Sequence, residues 1–347
     1  MSIPRIVVVL LMVSAAGTVE NPALTVSTSL PIKGREGAAL IFDGKADTAF
    51  VSDRSVRDGD DLTIVLPAPT ALTGVEVRSG VAGSGALAFG VLEVSEDGNR
   101  FTHAGVFSDG LASAARLPAK VAAVRVRVTG SNGAPLALSE VRLGGLERLP
   151  VRFATRFEVH CETARDSEKF AAKAKQLCEE WYPRLYEQFD TPEGAAPRSV
   201  VKLYFENMDG VAHALASEIH ISNKWVTKQA PDDYGMVVHE LFHIVQSYAG
   251  GGEGWLTEGL ADYVRHRLFE PQVPPPRIDP DQAKYTDAYK TTATFLEWLE
   301  DKKKPGIVLA LNAASRAKRN VREVFVKETG ADVDQLWREF TDSLRKP

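Results

Sequence analysis

Between residues 22 and 147 the hydrophobic positions come in short runs separated by turn-forming residues, with the period of two that belongs to strands. In 124–128, Val124, Val126 and Val128 alternate with Arg125 and Arg127. That alternation sends the valines to a core and the arginines to solvent. Residues 61–66 and 91–95 are further runs, the second followed by the turn sequence Asp97, Gly98, Asn99. Residues 136–143 give a last strand before Gly144 and Gly145. Strands at this spacing predict an antiparallel all-β sandwich.

Near residue 150 the pattern changes. Residues 156–161 read as a strand. Residues 167–185 read as a helix, with Phe170, Ala171, Ala174, Leu177, Cys178, Trp181 and Leu185 at helical spacing. Two more strands are expected over 200–205 and 219–222. From Asp232 onward the chain is mostly helical, broken by the proline-rich stretch from Pro271 to Pro280 and closed by a helix over 333–344. The expected architecture is multidomain: an all-β module at 22–147, then an α+β domain at 151–347.

Ahead of both, Arg5 precedes an apolar run over 6–13 and the small residues Ser14, Ala15, Ala16 and Gly17. This order predicts a secretory signal over 1–17 and hence a secreted or periplasmic protein. The run is too short to span a bilayer well, and no other stretch approaches 18 apolar residues, so no membrane span is expected after signal removal. Composition changes little in this picture. The net charge of −5 offers no basic field for nucleic acid. Cys161 and Cys178 leave two readings open, a disulfide that export permits or two free thiols.

The candidate chemistry sits at His239, Glu240 and His243, an HExxH pattern. Met236, Val237, Val238, Leu241, Phe242, Ile244 and Val245 around it mark a mostly buried helix, with Asp232 and Asp233 as candidate caps and Gly250 to Gly252 as its end. Residues at i and i+4 share a helix face, so the two imidazoles can share one Zn2+ ion. Glu240 lies about 100° round the helix, within reach of a water on that ion, and is the candidate general base. The pentapeptide arises by chance in on the order of one chain in a hundred; a catalytic zinc site usually has three protein ligands and one open position, so a third ligand must follow. Glu258 and Asp262 follow at helical spacing on a second expected helix. Glu258 is assigned as the third metal ligand, and Asp262 as the residue that orients a ligating histidine. Glu253 and Asp262 are its rivals. Gln246 and Ala249 stand where the metzincin pattern requires Gly and His, which excludes that class.

Several separated stretches then occur in the order found in a known family. They are Glu180 to Pro183; Gly210 to Ala212 with Glu218 to Ser222; HExxH followed by Gln246; Glu258 to Arg265; Tyr289 to Leu296; and Thr329 to Trp337. Over about 152–345 the chain resembles the plant basic secretory protein family of gluzincin-type zinc metallopeptidases. The resemblance implies a gluzincin-like fold, a peptide or protein substrate, and an edge strand over 211–222 that pairs with extended substrate. The family's basic character does not carry over to this acidic chain. Tyr289 is a candidate donor to the oxyanion, with Tyr285 as its rival, and His220 a candidate substrate contact in the cleft.

In the first module, residues 42–50 and 94–101 look like a discoidin (coagulation factor 5/8 type C) domain, as does the closing stretch 126–145. That resemblance implies a galactose-binding-like jelly-roll sandwich. Phe50 stands where such domains carry Trp, so two roles stay open: binding a glycan or cell-surface ligand, or acting as a spacer or folding partner. The chain as a whole reads as an exported zinc peptidase. The alternative is a catalytically idle peptidase fold whose β-module does the binding.

Overall fold

The computed structural model describes residues 22–32, 37–81, 86–131, 133–146, 148–191, 196–250 and 252–345. The segment read as a secretory signal lies outside them. No helix among the described residues is long and apolar enough to cross a membrane.

The first unit is a two-sheet sandwich. One sheet has the order β10-β1-β3-β8-β5-β6, built from β1 (Leu24–Thr28), β3 (Asp61–Thr70), β5 (Gly90–Ser95), β6 (Thr102–Val106), β8 (Val121–Val128) and β10 (Val151–Phe153). The other has the order β2-β9-β4-β7, from β2 (Phe50–Ser55), β4 (Gly74–Ser79), β7 (Leu111–Ala114) and β9 (Pro135–Gly144). A four-residue helix, α1 (Gly37–Leu40), leads into β2. The period-two reading of β8 holds. Val124, Val126 and Val128 are fully buried in the core with Phe50, Val77 and Leu138 of the facing sheet. Arg125 and Arg127 turn outward, and their Nε atoms meet the two oxygens of Glu93 at 2.7 and 3.0 Å.

The second unit opens with β11 (Arg156–His160), three residues after β10. Because β10 pairs in parallel with β1 through Leu24 and Val151, residues 151–153 belong to the first sheet, and the boundary expected at 151 falls after them. Arg156 fastens the units together. Its guanidinium grips both oxygens of Asp61 on β3 at 2.7 and 2.6 Å, and its Nε donates to Ser27 Oγ at 3.1 Å.

The second sheet system has the order β11-β12-β14-β13, with β12 (Val200–Glu206), β13 (Ala212–Leu215) and β14 (Glu218–Ser222). Its first three strands are parallel, and β13 returns antiparallel as an edge. The crossover from β11 to β12 is α2 (Glu168–Phe189), one turn longer than its sequence pattern predicts. Phe157, Val201, Leu203, Phe205, Ile219 and Ile221 face a core shared with α2 and α3 (Tyr234–Gln246). The rest is helical, as the sequence predicts: α4 (Gly254–Tyr263), α5 (Tyr289–Lys302), α6 (Ile307–Arg316), α7 (Val321–Thr329) and α8 (Val333–Leu344). This is the α+β domain expected. Cys161 and Cys178 are both free thiols.

Candidate metal centre and substrate cleft

Helix α3 starts where Asp233 accepts the backbone N–H of Met236 at 3.2 Å, satisfying one of the unpaired donors of the first turn. It ends at Ser247, whose left-handed backbone (φ 43°) lies three residues before the glycines expected to stop it. Nearly every residue between is buried, so the helix is fixed on all sides. His239 and His243 lie one turn apart on it, with rings at 85° to each other and Nε2 atoms 3.1 Å apart.

Helix α4 brings the acids. Glu258 Oε2 lies 3.2 Å from His239 Nε2 and 3.5 Å from His243 Nε2. One turn on, Asp262 Oδ1 meets His239 Nδ1 at 2.7 Å. The close approach behind these residues depends on Gly259, where a Cβ would fall 2.2 Å from Thr292 Cγ2 on α5. Glu253 turns away to Trp255 Nε1 and Arg322, so it does not compete with Glu258.

The outer partner of each ring decides what its inner nitrogen can do. Asp262 accepts from His239 Nδ1, so the neutral ring carries its lone pair on Nε2. On His243 the outer partner is Gln246 Oε1, 2.6 Å from Nδ1. The amide of Gln246 is fixed in that sense because its Nε2 donates to the Thr257 carbonyl at 3.0 Å. His243 Nε2 is therefore also a lone pair, and Glu258 Oε2 adds a third acceptor. Acceptors this close repel unless a cation lies among them. Ligands at tetrahedral corners around zinc stand about 3.3–3.4 Å apart. The observed 3.1, 3.2 and 3.5 Å scatter around that edge. Among the described residues no other group of three His, Cys, Asp or Glu side chains comes close enough to share an ion.

The electrostatics carry the same message. Burial opposes a charge on His239, but hydrogen bonds to Asp262 and Glu258 outweigh it and lift the imidazole to about 9, so a proton on Nε2 supplies the positive charge when a metal ion does not. Burial likewise opposes a charge on Glu258, yet hydrogen bonds from His239 and His243 pull it down to about 2. The space between rings and carboxylate demands positive charge. Glu240 is buried beside it, and burial raises its carboxyl against the pull of the two imidazoles.

All these groups open onto one cleft of about 900 Å³. Its floor is α3, one wall is α4 with the start of α5, and its rim is Val211 with Ala212 to Ala214 of the edge strand β13. Among the described residues β13 has no neighbour on its outer side. Tyr289 stands across from the rim, half-exposed, its ring centroid 6.2 Å from that of His239. The carboxylate of Glu258 foremost, then burial and Glu240, raise its phenol, so it stays a donor. Tyr285 is excluded from that role: it is buried with Trp255 and its hydroxyl meets Asp334 at 2.9 Å.

His220 is not in the cleft, contrary to the expectation above. Ile219 and Ile221 take the core side of β14, so alternation turns His220 to the opposite face of the sheet. There it stacks on Tyr204 and His213 and meets Glu206 at 2.9 Å. The histidine at the rim is its register partner His213: the two rings share a face, but His213 lies on the edge strand β13, which borders the cleft. Sequence reasoning missed His213, whose placement needs the β13–β14 register. It also gave Gln246 no role, although its i+3 spacing from His243 is the signal for one.

A family model described as peptidase of plants and bacteria matches residues 154–340. No curated protein matches the chain. The N-terminal part is similar to solved carbohydrate-binding modules. One is a family 32 module from a family 31 glycoside hydrolase of Clostridium perfringens, 18% identical, covering 35% of this chain and 93% of that one, with a TM-score of 0.31. Another is chitosan-binding module 1 of a chitosanase/glucanase from Paenibacillus sp. IK-5, 21% identical over 36% of this chain and 96% of that one, with a TM-score of 0.30. The matched family spans more than half of the 347 residues and encloses α3, α4 and the whole cleft between them, and the protein belongs to these peptidases of plants and bacteria.

Proposed function

We propose that the chain is an exported zinc-dependent peptidase, with His239, His243 and Glu258 as metal ligands and Glu240 as general base. The observation that carries this reading is the convergence of His239 Nε2, His243 Nε2 and Glu258 Oε2 within 3.5 Å of one another. A zinc ion there supplies Lewis acidity to the scissile carbonyl and acidifies the attacking water.

The protein's own residues do the rest. Asp262 and Gln246 hold the two imidazoles in the tautomer that presents Nε2 to the ion. A substrate segment lies along the rim as an added strand, held by the main chain of Ala212 to Ala214. Glu240 takes the proton of the attacking water and returns it to the leaving amine. Tyr289 donates its phenol to the developing oxyanion. Export follows from the residue order over 1–17, which also suits a peptidase acting outside the cell.

The test is casein hydrolysis and zinc content measured together for the wild type and Glu240→Gln. The variant should bind zinc in a 1:1 ratio and lose turnover by several orders of magnitude. Equal activity in both proteins would refute the mechanism.

A further inference from the structure

Beyond Asp262 the wall of the metal centre continues into side chains that the mechanism above leaves unused. Helix α4 runs on through a wide π-helical turn, Val264–Phe269. His266 stands on this turn with 16% of its side chain exposed. Its Nε2 faces Asp262 Oδ2 at 3.8 Å, and its Nδ1 faces Glu270 Oε1 at 3.4 Å. Both carboxylates are already engaged on one side. Asp262 Oδ1 holds His239 at 2.7 Å, and Glu270 Oε1 accepts from Arg265 Nε at 2.6 Å. Arg265 is itself anchored to Asp233, the cap of α3, at 2.7 Å.

His266 Nε2 is buried and has no hydrogen-bond partner at this spacing. A buried ring nitrogen left unpaired is costly whichever tautomer the ring adopts. The acceptor in front of it is the outer oxygen of Asp262, whose other oxygen already holds His239. Burial lowers the pKa of His266, with Arg265 and Lys290 adding to it against Asp262 and Glu270, so the ring carries one N–H at neutral pH.

We propose that His266 is a positioning residue for the metal centre. By giving its N–H to Asp262 Oδ2 it pins the carboxylate that orients His239, and it thereby sets how tightly the centre holds zinc. A carboxylate held at both oxygens cannot rotate away from His239 Nδ1, so the inner nitrogen keeps its lone pair on the metal. This inference rests on the zinc reading above.

The experiment compares zinc affinity of the full chain by competition with a chelating indicator, for the wild type, His266→Phe and His266→Gln. Melting of the metal-free proteins is recorded alongside. Outer partners of this kind change metal affinity about 10–100-fold. The Phe variant should bind zinc about tenfold more weakly, with metal-free melting unchanged or raised because an unpaired nitrogen is gone. The Gln variant keeps an N–H donor and should recover most of the affinity. If the Phe variant does not fold, His266→Ala carries the same comparison. Equal affinity in wild type and Phe variant, or a Gln variant as weak as Phe, overturns the role of His266 while leaving the zinc centre intact. A wild type that takes up no zinc overturns both.

Discussion

Asp262 and His239 meet at 2.7 Å with 6% and 9% of their side chains exposed, so water cannot replace either partner. The carboxylate is what fixes the ring of His239, because its outer nitrogen has no other partner among the described residues. Asp262→Ala should weaken zinc binding about 10–100-fold. Asp262→Asn keeps an acceptor oxygen and should lose less. Chelator competition at equilibrium measures both, and an Ala variant with wild-type affinity contradicts the geometry.

Tyr289 separates binding from chemistry. A donor that reaches only the oxyanion lowers kcat when removed and leaves KM nearly unchanged. Tyr289→Phe should cost about 10²-fold in kcat. The sign of its pH dependence follows from its neighbours. Glu258 foremost, then burial and Glu240, raise the phenol above its usual value, and donation requires the protonated form. The ratio of wild-type to Tyr289→Phe kcat should therefore stay flat up to about pH 10, the ordinary phenol pKa. A ratio that already falls between about pH 8 and 9 would show that the phenol is not held up by those carboxylates.

Much of this centre could be read from spacing alone. His239, His243, Glu258 and Asp262 each follow from i, i+4 geometry, because a helix face is a local property of sequence. The alternation of Val124, Arg125 and Val126 was legible for the same reason. What failed was non-local. His220 and His213 are equally polar and equally isolated in the sequence, and only the strand order, which puts β13 at the edge, shows which one reaches the rim. Tyr285 and Tyr289 are four residues apart, yet one is buried under Trp255 and the other stands over the cleft. The end of α3 was missed because Ser247 adopts the left-handed conformation that glycine usually supplies. The family resemblance placed the edge strand over 211–222, but the chain turns at Ala216, so only β13 is the edge.

Arg156 joins the two units through Asp61 and Ser27. Its side chain is 28% exposed and that of Asp61 is 13% exposed. A charge-assisted pair of this burial is worth about 1–2 kcal/mol once partial screening is allowed for. Arg156→Met should lower the coupling of the sandwich and the peptidase domain by that amount. Calorimetry should then resolve two transitions where the wild type shows closer ones, and proteolysis near residues 147–155 should quicken. An unchanged melting profile and cleavage rate would mean that Arg156 does not couple the two units.

Gly259 tests whether the approach of α4 to α5 sets the position of Glu258. A methyl group there meets Thr292 Cγ2 at 2.2 Å and Cβ at 2.5 Å. Thr292 cannot turn aside, since it is fully buried and its hydroxyl donates to the Tyr285 carbonyl at 2.6 Å. The helices must separate instead. Overpacking of this kind costs about 1–3 kcal/mol, which for a domain of this size lowers Tm by about 2–10 °C. Because Gly259 adjoins Glu258, the same shift should pull the carboxylate off the imidazole pair and weaken zinc binding. Thr292→Ala should not rescue Gly259→Ala, because the remaining Cβ still lies too near. A Gly259→Ala protein with wild-type Tm and zinc affinity would show that the two helices have slack, and that the placement of Glu258 does not depend on their contact.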